Sequence, residues 1–590
     1  MTVSKVIVEH NVPAVMRDGT TLRANIYRPS EKGNYPVLLA RLPYSKDLPI
    51  FHAYFDPIQA AKHGYIVVIQ DSRGRFQSDG EWDPFVDEFN DGYDTVEWAA
   101  KLPDADGQVA MWGISYFGMT QWQAAVMQPP SLKAIVPGQT WGNYLTGVFW
   151  RGGARELGAL RHWVHSFLSW DTVLKKYRES EKLPQILAEN VALVDNITET
   201  FKTTPLNDSP DPGDVLPYMY DWLKHSITDS YWDELNIDQR YDKVDVPNLH
   251  VGGWYDKFLN GTLEQYQAMK EQALRLNIPL PRLVVGPWQH GTFDSFVGEE
   301  EFGFLSSGAL LNFGGNITDQ HLKFYDAILK GENAALQNVP PVQIFVMGDN
   351  QWRGYEEWPV PDAKEETLYF HSEGYANTRF GNGHLNWEKP NTEEQHDTYL
   401  YDPEQPVPTK GGPLLLPARV KGGAVDQSQL EERSDILCYT SEVLDQDYTV
   451  IGNVSATLYA ASSARDTDFV VRLVDVHPDG KAVNITDGII RASARESYPE
   501  PGVFNPTNTS LIEPERVYQY SVDMWATAMT FKAGHRIRVE VSSSNFPRWD
   551  RNLNTGQDSL ISSESQTARQ TIFHNQTYPS SITLSVVQKQ

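Results

Sequence analysis

Ser115 stands in the stretch WGISYFG, with Gly113 two residues before it and Gly118 three after it. A serine on a sharp strand-to-helix turn is the nucleophile of the G-x-S-x-G elbow. Here the second glycine arrives one position late, and Phe117 holds its usual place. Alone, the pattern fits a small residue in a buried turn equally well. A free hydroxyl is a poor nucleophile near neutrality, so acyl transfer also needs a base. Of the 15 histidines, His290 in LVVGPWQHGT lies just past an apolar run and before a glycine. His250, inside NLHVGG, reads as a core histidine, and His162 and His165 fall in helical sequence. The base needs an acid to fix its tautomer. Asp256, in HVGGWYDKFLNG, follows the preceding apolar run. The order Ser115, Asp256, His290 is that of α/β-hydrolases. A capping or turn role is the alternative for His290 and for Asp256.

These residues need a scaffold. The first third alternates short β-branched runs (YPVLLARLPY, GYIVVIQDSRG, GQVAMWGIS, LKAIVPG) with helical stretches such as DEFNDGYDTVEWAAKLP and YFGMTQWQAAVMQ. Strand and helix alternating at these lengths predict βαβ units around a buried parallel sheet. Active sites of such sheets lie beyond the carboxyl ends of the strands, which is where Ser115 falls. From about Trp141 to Asp245 the spacing turns helical, which predicts a cap inserted over the strand ends. VPNLHVGGWYD and PRLVVGPWQHG then resume the sheet. Beyond about residue 350, TVIGNVSATLYAAS, TDFVVRLVDVHPDG and GHRIRVEVSSSN alternate over strand lengths between turn residues. That predicts an all-β sandwich or jelly roll. The expected domains are 1–144 and 246–350 for the core, 145–245 for the cap and 351–590 for the β domain.

A chain of 590 residues exceeds one hydrophobic core, consistent with several domains. The net charge of −27 disfavours nucleic acid and anionic membrane as partners. The single cysteine, Cys438, allows no intrachain disulfide. No signal peptide or run of about 18 apolar residues is evident, so a cytoplasmic location is the expectation. NDSPDPGD, residues 207–214, is rich in oxygen ligands but lacks calcium-loop spacing. No metal and no cofactor are expected.

With QDSRGRFQSDGEW and DGYDTVEWAA before them, WGISYFG, VGGWYD and VVGPWQHG resemble the bacterial cocaine esterase family. That family is related to X-Pro dipeptidyl-peptidases, glutaryl-cephalosporin acylases and α-amino-acid ester hydrolases. Its elbow is G-x-S-Y-x-G, so the late glycine is the family's own form. The likeness continues through VQIFVMGDNQWR, DTYLYDPEQPVP, ILCYTSEVL and GHRIRVEVSSSNFPRWDRN, nearly end to end. It implies an α/β-hydrolase core with an inserted helical cap and a C-terminal jelly roll. It also implies that the Tyr44 hydroxyl and the Tyr116 backbone N–H form the oxyanion hole, and that Trp150, Trp163, Phe258, Leu415 and Leu416 line the acyl pocket. Amphipathic core packing is the alternative for Tyr44 and for the two tryptophans. Arg73, Gly74 and Arg75 match a family loop, expected to be a turn whose arginines pair with acids.

The function expected is a serine hydrolase that cleaves small-molecule esters, aromatic acyl esters among them, through an acyl-enzyme. An acylase or X-Pro peptidase acting on small amides is a second reading. A noncatalytic binding protein with a vestigial triad is a third. The partner expected is a small ester or amide, and the sequence leaves the oligomeric state open, a homodimer included.

Overall fold

The computed structural model describes residues 5–311, 314–507 and 509–588. A ten-stranded sheet forms the core. Its strands are β1 (Val6–Val15), β2 (Thr21–Pro29), β3 (Tyr35–Leu42), β4 (Ile66–Asp71), β5 (Ala105–Ile114), β6 (Leu132–Gly138), β7 (Leu249–Tyr255), β8 (Arg282–Gln289), β9 (Val342–Val346) and β10 (Gln351–Tyr355). Their order across the sheet is β1-β2-β4-β3-β5-β6-β7-β8-β9-β10. The pairs from β4 through β9 are parallel, and antiparallel strands close both edges. The core sheet thus runs five residues beyond position 350, because β10 pairs along the whole of β9.

Strand alternation sorts the apolar side chains into two layers. Val37, Leu39, Val109 and Met111 point to one face, and Leu38, Ala40, Ala110 and Trp112 to the other. Helices α2 (Glu88–Ala99) and α3 (Tyr116–Val126) cover the first face. Helix α1 (Pro57–Lys62) covers the second together with the long C-terminal core helix Ile317–Leu329. Burial on both faces is why these strands read as near-continuous apolar runs.

Between β6 and β7 lies the inserted segment, with α4 (Leu157–Trp163), α5 (Ser169–Lys176), α6 (Leu183–Asp195), α7 (Ile197–Thr200) and α8 (Pro217–Lys224). A π-helical turn, Val164–Leu168, joins α4 to α5. Leu157, Leu160, Val164, Leu168, Met219 and Trp222 continue the apolar layer of α2 and α3, so the cap shares that core. One part of it is not helical. Trp150–Arg151 and Ala154–Arg155 form a small hairpin. A side chain on its turn residue Gly152 would strike the Ile489 carbonyl, so the tip presses on the C-terminal domain.

Helix α9 (Leu259–Leu276) follows β7, and α10 is Ile317–Leu329. The C-terminal region contributes eleven strands to one all-β assembly, antiparallel except for one short pair. Its core is continuous with Trp254, Val342, Ile344, Phe345 and Val346 of the hydrolase sheet and with Leu263 and Tyr266 of α9. Among the described residues no helix is long and apolar enough to cross a membrane.

Candidate active site

Four neighbouring parallel strands deliver one polar residue each at their carboxyl ends. Ser115 follows β5, Gln139 follows β6, Asp256 follows β7 and His290 follows β8. Tyr44 stands two residues beyond β3, the other neighbour of β5. Residues distant in sequence thereby share one end of the sheet.

Ser115 has φ 57° and ψ −127°, a conformation that non-glycine residues rarely adopt. The turn is held from three sides. The Ser115 N–H donates to the carbonyls of Gly138 and Gln139, both at 3.1 Å. The Thr140 hydroxyl donates to the Ser115 carbonyl at 2.9 Å. The flanking glycines have steric causes. A Cβ on Gly113, at φ 146°, would lie 2.1 Å from the Phe117 ring, and one on Gly118 would lie 2.7 Å from Thr140 Cβ. Phe117 is accommodated because its ring fills the space over Gly113 and packs edge-on to Trp112. Ser115 remains partly accessible between buried neighbours.

His290 Nδ1 lies 2.7 Å from Asp256 Oδ1. Asp256 is fully buried, and the histidine side chain is 8% exposed. With Nδ1 committed to the carboxylate, Nε2 is the nitrogen left for proton transfer. The Gln139 side chain clamps the backbone on both sides of this histidine. Its amide donates to the Gln289 carbonyl at 2.9 Å, and its carbonyl accepts from the Gly291 N–H at 2.8 Å. The Phe258 ring meets His290 edge to face at 5.0 Å.

The Tyr44 hydroxyl accepts a hydrogen bond from Trp163 Nε1 at 2.8 Å. Burial pushes its phenol above the ordinary value, while hydrogen bonds with Trp163 and Ser115 pull the other way, so it stays a protonated donor. Arg75 anchors the segment that carries it. Its guanidinium donates to the Pro43 carbonyl at 3.0 Å and, from the cap side, to Leu168 O and Thr172 Oγ1. Arg73 pairs with Asp18 and Asp91, and Gly74 takes φ 70° where any side chain would strike Trp82. Tyr116 opens α3, so its N–H belongs to the first turn, whose donors have no intrahelical acceptor. Its own hydroxyl is turned away, donating to Glu88 Oε1 at 3.0 Å.

A pocket opens over Ser115, walled by Phe85, Trp141, Phe149, Trp163, Phe258 and Leu415, with Val148, Ala159, Leu160 and Lys257 completing the lining. Trp163, Phe258 and Leu415, which the family resemblance implies for the acyl pocket, are among these lining residues. Two other residues are not among the lining. Trp150 lies under the Arg155 guanidinium, 4.6 Å from it, and faces a separate cavity at the seam with the β domain. The hairpin containing it pairs Trp150 with Arg155, and the ring is buried in the layer shared by the cap and α3. Leu416 packs on Gly158 and on the cluster of Leu193, Ile197 and Phe201. Phe85, Trp141 and Phe149 escape sequence reasoning because each reaches the site through a loop whose path the apolar pattern does not encode, and Gln139, at the end of β6, because its hydrogen-bond partners lie on another strand end. Lys257 is adjacent to Asp256 and was the one available signal. Its buried ammonium bonds to Glu156 Oε2 at 3.1 Å and to the Gly147 carbonyl at 2.7 Å, which ties the acid loop to the cap.

Three other histidines are placed differently. His250 is buried, its Nε2 2.8 Å from Asn248 Oδ1, and burial lowers its pKa to about 3. His165 is buried in the π turn with its pKa lowered to about 4. His162 approaches Ser166 Oγ through Nδ1 at 3.0 Å. None of these three has a carboxylate partner among the described residues.

Residues 18–292 match the X-Pro dipeptidyl-peptidase (S15 family), and residues 333–583 match the X-Pro dipeptidyl-peptidase C-terminal non-catalytic domain. Cocaine esterase of Rhodococcus sp. (strain MB1 Bresler) is 38% identical over 597 residues, covering 99% of both chains. An aminopeptidase from a marine sediment Thaumarchaeota archaeon has a similar fold, with TM-score 0.79, 24% identity and 99% and 97% of the two chains covered. An α-amino acid ester hydrolase has TM-score 0.77 and 24% identity, over 98% of this chain and 96% of its own.

Proposed function

Since the chain belongs to the cocaine esterase family, we propose that it is a serine hydrolase of small carboxylic esters working through an acyl-enzyme. The observation that carries this reading is the convergence of Ser115, Asp256 and His290 on adjoining strand ends, with the serine on a strained turn and His290 Nδ1 held by a buried carboxylate. In this reading Ser115 Oγ attacks the ester carbonyl while His290 Nε2 takes its proton. Asp256 holds the tautomer and stabilises the imidazolium. The oxyanion lies between the Tyr44 hydroxyl and the Tyr116 N–H, donors that require no reorganisation during the reaction. Collapse breaks the bond to the alkoxy oxygen, which leaves as the alcohol with the imidazolium proton. A water, deprotonated by His290, then releases the acid and restores Ser115.

The lining favours an apolar, aromatic acyl group, because it is largely aromatic and aliphatic and its one charged side chain, Lys257, is already paired. The match to X-Pro dipeptidyl-peptidases supports a second reading, hydrolysis of small amides or X-Pro peptides. Recognition of a free amino terminus needs carboxylates near the nucleophile, and none belongs to the lining residues described. The test is a fluorophosphonate probe followed by a panel of benzoyl esters, glutaryl amides and X-Pro anilides. Labelling of Ser115 with preference for benzoyl esters is expected. Preference for anilides would install the peptidase reading, and no labelling would favour a binding protein.

A further inference from the structure

A second polar cluster lies at the rim of the β domain, far in sequence from Ser115, Asp256 and His290. Asp475 is on the strand Asp468–Val476, and His477 is the next residue but one, at the start of a turn. The neighbouring strand Arg536–Ser542 pairs antiparallel with it, Asp475 opposite Ile537 and Val476 opposite Arg536. One further step of that register sets His477 opposite His535. Residues two apart on a strand share a face, so Asp475, His477 and His535 converge by sheet geometry alone.

His535 Nδ1 lies 2.9 and 3.0 Å from the two Asp475 oxygens, and His477 Nε2 lies 3.3 Å from Oδ2. The three ligand atoms fall within 4.8 Å of one another. A tetrahedral zinc ion with bonds of about 2.0–2.1 Å separates its ligands by roughly 3.3 Å. The two edges from Asp475 are thus already near those of such a site. Asp475 is 2% exposed while the histidine side chains are 28% and 16% exposed, which leaves a solvent-facing direction for a fourth ligand.

We infer that Asp475, His477 and His535 form a binding site for a transition-metal dication of the zinc type, with water as the fourth ligand. Two imidazoles and one carboxylate suit zinc, nickel or copper rather than magnesium or calcium, which prefer oxygen donors. To bind a metal ion, each ring must offer an unprotonated nitrogen and the carboxylate must be ionised, so zinc and protons compete for these atoms. The ion would cross-link the turn at His477–Lys481 to the start of the next strand. The same turn is tied by Lys481 to Glu300, on the segment that follows His290.

The test is calorimetric titration of chelator-treated full-length protein with zinc, and separately with magnesium. One zinc per chain is expected to bind and to raise the melting temperature, with no response to magnesium. His477→Ala, at a half-exposed turn position, should weaken zinc more than about 100-fold, beyond the loss of an outer partner, while ester hydrolysis without zinc stays unchanged. His535→Gln should do the same, and Co²⁺ should show tetrahedral absorption bands only in the parent protein. Zinc binding that survives both substitutions, or no zinc binding up to 0.1 mM (about 5.5 kcal/mol of affinity), would overturn the inference.

Discussion

The molecule gathers a serine, a histidine and an aspartate twice, with opposite consequences. At the end of the core sheet, Asp256 meets His290 alone, and Ser115 is presented to a pocket from a turn at positive φ. In the β domain, Ser372, His574 and Asp397 are all buried. There Asp397 is a hub. It accepts from Ser372 Oγ at 2.7 Å, from the Tyr439 hydroxyl at 2.9 Å and from the Ala376 N–H at 2.7 Å, with His574 Nε2 at 2.9 Å. Ser372 donates its hydrogen bond to the carboxylate at 2.7 Å while its Oγ lies 3.2 Å from His574 Nε2, and its backbone is not at positive φ. The hub pins three strand ends, since Ser372 follows Ala363–His371, Asp397 begins Asp397–Tyr401 and His574 follows Ala568–Phe573. Residue types do not make a nucleophile. The proposed nucleophile differs in being partly accessible, on a turn at positive φ, with Nδ1 of its histidine held by the carboxylate.

The comparison breaks first on Ser115→Ala. Turnover should fall roughly 10⁶-fold with circular dichroism unchanged, because the elbow accepts alanine. Ser372→Ala should keep turnover within a few-fold. If Ser372→Ala alone abolishes activity in a folded protein, the two assignments must be exchanged. Next, Asp397→Ala leaves several donors unpaired in the interior and should cost about 3–5 kcal/mol in denaturant unfolding, with kcat of the folded fraction preserved.

Tyr44→Phe should lower kcat roughly 10²–10³-fold, the effect of losing one oxyanion donor, and change KM much less. A kcat near that of the parent would move the second donor elsewhere. His165 extends the comparison to a histidine with no acid beside it. Both its ring nitrogens are buried without hydrogen-bond partners, and burial lowers its pKa from 6.5 to about 4. Above pH 6.5 the ring is neutral folded and unfolded. As pH falls towards 4, the unfolded chain takes up a proton that the native state refuses, so stability present at neutral pH is lost. His165→Phe removes that proton uptake. Its stability relative to the parent should rise by about 1.4 kcal/mol per pH unit across this window, read by chemical unfolding. A pH-independent difference would place the proton elsewhere.

The smallest effect expected is that of Trp163→Phe, which keeps the aromatic wall and removes the donor to Tyr44. A net hydrogen bond of about 1 kcal/mol predicts a roughly fivefold fall in kcat. That fall should disappear in the Tyr44→Phe background, whereas an independent packing effect would persist in the double mutant.

The order of strands and helices, the inserted cap and the C-terminal β region were legible in the chain, because burial on both sheet faces writes itself as apolar runs and half-burial as alternation. Ser115, Asp256 and His290 were legible for the same reason, each standing where such a run stops. Gly113 and Gly118 announced a close approach that the Phe117 and Thr140 contacts explain. Trp150 and Leu416 were not legible. Each lies in a segment packed on partners hundreds of residues away, Ile489 beneath the hairpin tip, and Gly158 and the Leu193 cluster against Leu416.

By itself, then, the sequence determined which residues stand at strand ends and what chemistry their types allow, since period and turn residues are local properties. Only the tertiary structure decided which aromatics wall the pocket, that Gln139 clamps the histidine loop, and that Ser372 is a strand pin while Ser115 faces a pocket. The physical reason is that a side chain's hydrogen-bond partner and its exposure depend on what packs against it. Those neighbours are chosen by the register of whole sheets, and no short stretch of sequence carries that register.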